Sequence, residues 1–278
     1  MIEVKDLYFA YGNTPVLDGI FFTIRPGERI AILGANGSGK TTLAHWLAGW
    51  LTSANADGRG TVLWQGRPWQ DYSIAERATA IQLVGQFPAQ HLTGRAFTVA
   101  EEISFGPENL GLPAEEIITR RDQAMTTCRL EALAHRAPFT LSGGEQQRLV
   151  IAAALALSPS VLILDEPFTN LDPASRDHLA GVLTELPESV TLVFFESNPD
   201  VALATAKHFL LLRDGRIAVE GDARTVLLSA ACTEVLGLPV IARAFQQLPE
   251  GHGLPDRALP LNDCEAAALL SEYKRCSV

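Results

Sequence analysis

The apolar residues of this chain fall into short runs of strand length, separated by segments in which they recur at helical spacing. The strand-like runs cover residues 2–11, 16–24, 29–33, 58–66, 81–86, 161–166, 190–195, 209–212 and 216–219. Helical spacing is found in residues 41–48, 114–133 and 143–157. Strands that alternate with helices predict an α/β fold with a largely parallel core sheet.

One strand, loop and helix unit carries a phosphate-binding pattern. Residues 34–41 read Gly-Ala-Asn-Gly-Ser-Gly-Lys-Thr and fit G-x-x-x-x-G-K-[ST] without a mismatch. Such octets also arise by chance, but the strand before this one and the helix after it favour a phosphate loop, in which backbone N–H groups and a helix N-terminus converge on an anion. Lys40 is expected to reach the β and γ phosphates of a nucleotide, and the Thr41 hydroxyl to bind Mg²⁺.

Polar residues end two other apolar strands. An apolar strand has no structural use for Asp165 and Glu166 at its end, so a metal or catalytic role is favoured there. Asp165 suits the coordination shell of Mg²⁺, and Glu166 suits the polarisation of a water that attacks a γ phosphate. Gln86 has two possible roles, and its spacing does not decide between them. Its amide oxygen could contact the metal or the attacking water, or the residue could simply cap its strand.

Two further positions fit either a functional or a purely structural role. Ser142 is a good N-cap, and Gly143 and Gly144 leave the start of the following helix bare, which makes either an anion site or simply a capped helix. Tyr11 lies at the end of the first strand, where its ring either stacks on a nucleotide base or packs as an aromatic of the sheet.

Composition excludes several classes of protein. The 278 residues contain no apolar run that approaches the ~18 to 20 residues needed to cross a membrane. The N-terminus lacks the basic start and apolar core of a secretory signal, so we expect a cytoplasmic protein. A net charge of −10 without a basic run argues against nucleic-acid binding. The four cysteines are far apart and predict neither a zinc site nor a disulfide framework.

Two changes in pattern predict the domain organisation. The pattern is helical between residues 97 and 157, with Pro107 and Pro113 as breakers, which indicates a helical insertion. After Gly221, short helical patterns alternate with turns that contain proline and glycine. We therefore expect a main domain over residues 1–222 and a small C-terminal helical appendage over residues 223–278.

Six landmarks in order resemble the ATPase subunits of ABC transporters over nearly the whole chain. Tyr11 is similar to the base-stacking aromatic of the family, residues 34–41 to its Walker A loop, and Gln86 to its Q-loop. Residues 141–145 are similar to the signature motif, residues 161–166 to the Walker B strand, and Leu171-Asp172 to the D-loop. The resemblance implies a P-loop NTPase of the ABC ATPase type with an N-terminal antiparallel β part and a helical insertion. It favours the functional reading of Tyr11 and Gln86.

The resemblance also implies a nucleotide site shared by two chains, because in this family each signature motif closes over the ATP held by the other subunit. The implied nucleotide contacts are Tyr11, Gly34, Ala35, Asn36, Gly37, Ser38, Gly39, Lys40, Thr41 and Thr42 from one chain and Ser142, Gly143, Gly144 and Glu145 from the other. The implied metal ligands are Thr41, Gln86 and Asp165, and the implied catalytic residues are Glu166, Gln86 and Ser197.

A finer resemblance points to the energy-coupling factor subfamily, whose ATPases drive uptake of vitamins or of cobalt and nickel ions. It lies in residues 86–92, in residues 101–112, and in the C-terminal appendage; Phe-Gly-Pro-Glu-Asn-Leu at 105–110 is its most specific part. It implies ATP and Mg²⁺, a second ABC ATPase in a homodimer or heterodimer, an integral membrane coupling protein and a membrane-embedded substrate-binding protein. The chain would lie at the cytoplasmic face of the cell membrane. His91 stands where the subfamily often has a second glutamine, and it is assigned no role.

The chain departs from the family at one position. Where the family has its switch histidine, this sequence has Ser197. A serine hydroxyl is shorter and cannot be a cation, so we expect it to contact a γ phosphate poorly or through water. His208 is no substitute, since it begins the next strand. We hypothesise that the site containing Ser197 hydrolyses ATP slowly and that a partner ATPase with an intact histidine supplies most of the turnover. The alternative is that the substitution is tolerated, because Glu166 is sufficient for hydrolysis.

Two other functions share these motifs. The first is a subunit of a conventional ABC transporter. Only the resemblance of residues 86–92 and 101–112 to the energy-coupling factor subfamily, and the C-terminal appendage, argue against it. A soluble ABC ATPase of DNA maintenance would separate the Walker motifs with a long heptad-rich coiled coil, and the sequence contains none.

Overall fold

The computed structural model describes residues 1–51, 58–169, 171–247 and 259–276, with side chains in the last range only as far as residue 271. The strands are β1 (Ile2–Tyr11), β2 (Thr14–Ile24), β3 (Arg29–Leu33), β4 (Gly58–Trp64), β5 (Arg67–Pro68), β6 (Ile81–Val84), β7 (Val161–Asp165), β8 (Thr191–Glu196), β9 (His208–Arg213) and β10 (Arg216–Gly221). The α-helices are α1 (Lys40–Leu47), α2 (Ile74–Ala80), α3 (Val99–Asn109), α4 (Ala114–Thr127), α5 (Gly143–Ala156), α6 (Pro173–Glu185), α7 (Pro199–Thr205), α8 (Ala223–Leu227), α9 (Ala230–Leu236), α10 (Val240–Gln246) and α11 (Asp263–Cys276).

The strands form two sheets. The first is antiparallel, with the order β2-β1-β4-β5. The second has the order β10-β9-β3-β8-β7-β6, in which β9 to β6 run parallel and β10 is an antiparallel edge strand. Asp214 and Gly215 both have positive φ in the turn between β9 and β10, as a two-residue hairpin requires. The predicted α/β fold with a parallel core sheet is confirmed, and so is the antiparallel part at the N-terminus.

Two apolar clusters cover the two faces of the parallel sheet. Side chains alternate along β3, so that Ala31 and Leu33 belong to one cluster and Ile30 and Ile32 to the other. The first cluster joins the sheet to α3, α5 and α6, and the second joins it to α1 and the antiparallel sheet. Because α1 is packed between the two sheets, the loop that precedes it is fixed at both ends.

The helical segment between β6 and β7 packs on the first cluster. Val99 and Ile103 of α3, Met125 of α4 and Leu149 of α5 are all members of that cluster. Pro113 caps the N-terminus of α4, where a breaker was predicted. Pro107 does not break α3 as predicted: it lies inside the helix, two residues before its end, and costs one backbone hydrogen bond. Packing of Val99 and Ile103 on the first cluster holds the helix in place despite this loss.

The C-terminal helices also contact this core. Val226 and Leu227 of α8 and Cys232 of α9 belong to the first apolar cluster. Arg224 of α8 forms a 2.6 Å ion pair with Glu265 of α11. The predicted boundary at residue 222 stays a prediction. Within the described ranges, every helix is too short or too polar to cross a membrane.

Parallel strands bring their carboxyl ends to one edge of a sheet, and this edge gathers the polar residues singled out in the sequence. The register pairs Leu33 of β3 with Glu196 of β8, and Asp165 of β7 with Phe195 of β8. Val84, the last residue of β6, pairs with Leu164. The phosphate loop, Gln86, the carboxylate pair and Ser197 therefore all follow strands at the same edge.

Candidate nucleotide-binding site

Glycines shape the phosphate loop between β3 and α1. Gly37 and Gly39 have φ values of +82° and +102°, a region that favours glycine. A Cβ atom on Gly34 would lie 2.4 Å from the Ser38 hydroxyl oxygen and 2.6 Å from the backbone oxygen of Leu212. The helix begins directly after Gly39, so the unpaired N–H groups of its first turn lie at the loop.

Lys40 places a buried positive charge inside this loop. Its Nζ donates to the backbone oxygens of Gly34, at 2.9 Å, and Ala35, at 3.2 Å. The same atom lies 3.2 Å from Oε1 of Glu166. The predicted phosphate-binding lysine and the predicted catalytic carboxylate are therefore in direct contact.

Thr41 and Asp165 form the second contact between the loop and the end of β7. The Thr41 hydroxyl donates to Oδ2 of Asp165 at 2.7 Å, while Oδ1 is buried without a hydrogen-bond partner. Burial raises the pKa of Asp165, and the bond from Thr41 partly opposes that rise. A hydroxyl beside a carboxylate oxygen that lacks a partner fits a hard divalent cation, which takes oxygen ligands.

Glu166 is held in place by its neighbours. Its φ is +48°, and its backbone N–H donates to the oxygen of Phe195 at 2.9 Å. Its Oε2 accepts from the Thr169 hydroxyl at 3.1 Å and from Nε2 of Gln86 at 3.4 Å. A fixed carboxylate at the mouth of a phosphate loop has the position a general base needs. Thr169 was not singled out in the sequence, because a threonine in a loop carries no distinguishing pattern.

Ser197 directly follows β8 and is half-buried. The neighbouring Glu196 accepts a 3.2 Å hydrogen bond from Gly34 through its backbone oxygen, so this strand end lies against the phosphate loop. His208 lies at the opposite end of the sheet, where it pairs with Ile30 and its Nδ1 is 2.6 Å from Glu28. The structure thus confirms that His208 does not replace the missing histidine.

Glu196 also lies at this edge of the sheet, although it was not among the residues singled out in the sequence. Its side chain is 3% exposed, and Oε1 has no hydrogen-bond partner. Burial, and then the negative charge of Glu166, raises the pKa of Glu196 to about 8. The available signal was the one used for Asp165, an acidic residue at the end of an apolar strand.

Tyr11 is exposed at the end of β1, in a hairpin that borders the phosphate loop at Gly39. Its ring makes an edge contact with Phe9, and 56% of the residue is accessible. Tyr11 pairs with Thr14, and a Cβ atom on Gly39 would lie 2.9 Å from the backbone oxygen of Val16. The end of this hairpin therefore borders the loop, and base stacking by Tyr11 stays a prediction.

The residues of the predicted signature motif form the N-terminal cap of α5. The Ser142 hydroxyl donates to Glu145 Oε2 at 2.9 Å, and the Glu145 N–H lies 3.4 Å from that hydroxyl. Gly143 is exposed, and Gly144 is buried against Ser175 of α6. Among the described residues, no recorded hydrogen bond or ion pair joins residues 142–145 to residues 34–41.

Comparison with known proteins supports the interpretation of these motifs. A family model described as ABC transporter matches residues 17–169, more than half of the chain. A putative ABC transporter ATP-binding protein of Pyrococcus horikoshii, PH1815, is 35% identical over 99% of this chain and 98% of its own. The energy-coupling factor transporter ATP-binding protein EcfA of Methanocaldococcus jannaschii is 34% identical over 92% and 91%. The cobalt import ATP-binding protein CbiO of Syntrophus aciditrophicus is 35% identical over 90% and 89%.

Solved structures agree. CbiO1 of Clostridium perfringens, described as part of the ABC transporter complex cbiONQ, has a TM-score of 0.74 and 30% identity over 89% of this chain and 95% of its own. The ATP-binding cassette MJ0796, solved as a dimer in a post-hydrolysis state with ADP and Pi, has a TM-score of 0.69 and 25% identity over 81% and 99%. The chain belongs to the ABC transporter family and is one of its ATPase subunits.

Proposed function

We propose that this chain is the ATPase subunit of an energy-coupling factor type importer, which powers uptake of a vitamin or of cobalt or nickel ions. The observation that carries the proposal is the similarity to EcfA and CbiO, at 34% and 35% identity over about nine-tenths of each chain. The fold of CbiO1 supports it independently. PH1815 and others of comparable similarity are described only as ABC transporter ATP-binding proteins, so the subfamily rests on these named relatives.

The site geometry supports specific roles in ATP hydrolysis. Lys40 and the backbone of residues 34–42 would bind the phosphates, Tyr11 would stack on the base, and Glu166 would take the proton from the attacking water. Thr41 and Asp165, with the amide of Gln86, would hold Mg²⁺, which neutralises phosphate charge when it is bound. Support for the metal comes from the buried Oδ1 of Asp165, which lacks a partner.

The signature residues would act on ATP held by a second chain. Ser142, Gly143, Gly144 and Glu145 lie at the N-terminus of α5, where the capping bonds between Ser142 and Glu145 leave the N–H groups of the two glycines for an anion. Within the described residues, no hydrogen bond or ion pair links this N-terminus to the phosphate loop. The dimeric form of MJ0796 supports a paired arrangement. The partner is either a second copy or a related ATPase with an intact switch histidine, which would compensate for Ser197.

Two exposed aromatic side chains favour the segment after β6 as the contact with a membrane coupling protein. Phe87, next to Gln86, is 51% exposed, and Phe97, just before α3, is 83% exposed. Exposed apolar patches mark interaction sites, and Phe87 and Phe97 are the exposed large apolar side chains between β6 and α3. A coupling protein bound at Phe87 and Phe97 would contact the segment that carries Gln86. A membrane-embedded substrate-binding protein would complete the complex, with this chain at the cytoplasmic face of the membrane.

The test is purification of the tagged chain from the membranes of its own cells, followed by identification of its stoichiometric partners. We expect a second ABC ATPase, one coupling protein and one small membrane-embedded binder. Two large transmembrane subunits without a separate binder would instead show a conventional ABC transporter. Serine substitutions at Phe87 and Phe97 should release the coupling protein, whereas Phe21→Ser, at a similarly exposed residue on β2, should not.

A further inference from the structure

His91 lies beside the strand end that carries Gln86, and the proposed chemistry does not use it. Its Nε2 accepts a 3.0 Å hydrogen bond from the backbone N–H of Gly85. A Cβ atom on Gly85 would lie 2.7 Å from the same nitrogen, so the ring packs directly on the backbone. β6 is an edge strand whose last ladder pair is Val84 with Leu164, and His91 satisfies the first backbone donor beyond it.

The imidazole of His91 has to be neutral to make this bond, because both ring nitrogens of a charged histidine are donors. Burial lowers the pKa of His91, and the neighbouring His45 on α1 lowers it further. At neutral pH Nε2 is therefore an acceptor, with the ring proton on Nδ1.

Ring contacts through Trp50 link His91 to His45 of α1. The Trp50 ring lies 6.4 Å from His91 and 5.2 Å from His45, which it faces at an interplanar angle of 26°. His45 belongs to α1, the helix that begins at the phosphate loop. The segment after β6 is thereby attached to the helix that carries Lys40 and Thr41.

We propose that His91 is a positioning residue for ATP hydrolysis: by holding the backbone of Gly85 it keeps the amide of Gln86 at the carboxylate of Glu166. The bond from Gln86 Nε2 to Glu166 Oε2 is 3.4 Å long, at the limit for a hydrogen bond, so a small shift of the backbone breaks it. Catalytic groups have to be held within about 0.5 Å of their working geometry. The inference rests on the role proposed for Gln86.

Three variants of the full-length chain test it: His91→Leu, His91→Gln and Gln86→Ala. His91→Leu removes the acceptor, and we expect kcat for Mg-ATP hydrolysis to fall on the order of tenfold with little change in KM. His91→Gln keeps an uncharged acceptor near the position of Nε2 and should restore kcat. Gln86→Ala should be at least as slow as His91→Leu.

Amide hydrogen exchange at Gly85 provides a readout that does not depend on activity. We expect protection of this N–H in the native chain and in His91→Gln, and its loss in His91→Leu. Fast exchange in the native chain would overturn the inference, as would a native kcat for His91→Leu when Gln86→Ala is slow. A native kcat for Gln86→Ala would instead refute the role proposed for Gln86, while the exchange experiment still tests the contact.

Discussion

The ammonium of Lys40 lies 3.2 Å from the carboxylate of Glu166, and both side chains are largely buried. The group expected to bind phosphate and the group expected to activate water are thus joined by one ion pair. A phosphate that binds Lys40 takes a position next to Glu166 and competes with it for the ammonium. Removing one member of such a pair leaves the other charge buried without compensation.

Glu166→Gln separates ATP binding from hydrolysis. The amide has the shape of the carboxylate but cannot accept a proton, so we expect hydrolysis to fall by about 10²-fold or more. ATP should bind at least as tightly as to the native chain, because phosphate no longer competes for Lys40. Steady-state hydrolysis and equilibrium binding of ATP measure the two effects. Glu188→Gln, at an exposed position, is the control and should change neither. Native turnover by Glu166→Gln would exclude it as the base.

Ser197→His tests whether this position limits turnover. A histidine at the end of β8 reaches further than serine and can carry a charge, so we expect faster ATP hydrolysis in the assembled transporter. The rate should be measured on the complex purified with either variant. An unchanged rate would favour the alternative in which Glu166 suffices. Ser189→His, at an exposed residue before the same strand, controls for the added imidazole.

Two adjacent glycines at the start of α5 should respond differently to alanine. A Cβ atom on Gly144 would lie 2.6 Å from Oγ and 2.8 Å from Cβ of Ser175, whereas one on Gly143 meets nothing within 4 Å. We expect Gly144→Ala to lower the free energy of unfolding by about 1–3 kcal/mol and Gly143→Ala to leave it nearly unchanged. Urea denaturation of both variants measures this. Equal stabilities would contradict the packing of α5 on α6.

Glu196 should make stability fall as pH rises. Its pKa is raised to about 8 in the folded protein from 4.5 in the unfolded chain, so the folded state holds a proton that the unfolded state has lost between these values. The contribution of Glu196 to the free energy of unfolding therefore decreases by up to about 1.4 kcal/mol for each pH unit between these two values. Glu196→Gln cannot titrate and should lack this decline.

The measurement is urea unfolding of the native chain and Glu196→Gln at pH 6 and pH 8.5, in the presence of a metal chelator. The difference between the two proteins reports Glu196 together with its effect on the neighbouring Glu166 and Asp165, because groups far from the site titrate alike in both. We expect the glutamine variant to gain relative stability at the higher pH. A difference that stays constant with pH would show that Glu196 is ionised throughout.

The local features of this protein were readable from its sequence. The alternating pattern of β1, the apolar run of β3, the phosphate loop and the cap at Ser142 depend on residues that are neighbours in the chain. The six motifs in order were sufficient to recognise the family. Pro107 was misjudged because packing of α3 on the first cluster outweighs the one hydrogen bond that it costs, which propensity alone does not show.

The tertiary structure decided which of these local features meet. Contact between Lys40 and Glu166, burial of Glu196 and the bond from His91 to Gly85 all depend on the order and register of the parallel strands. That order is set by packing between residues far apart in the chain, so no local pattern specifies it. The sequence by itself determined that the chain carries a phosphate loop. Only the fold determined which buried charges surround it, because burial and neighbouring charge shift a carboxyl group's pKa.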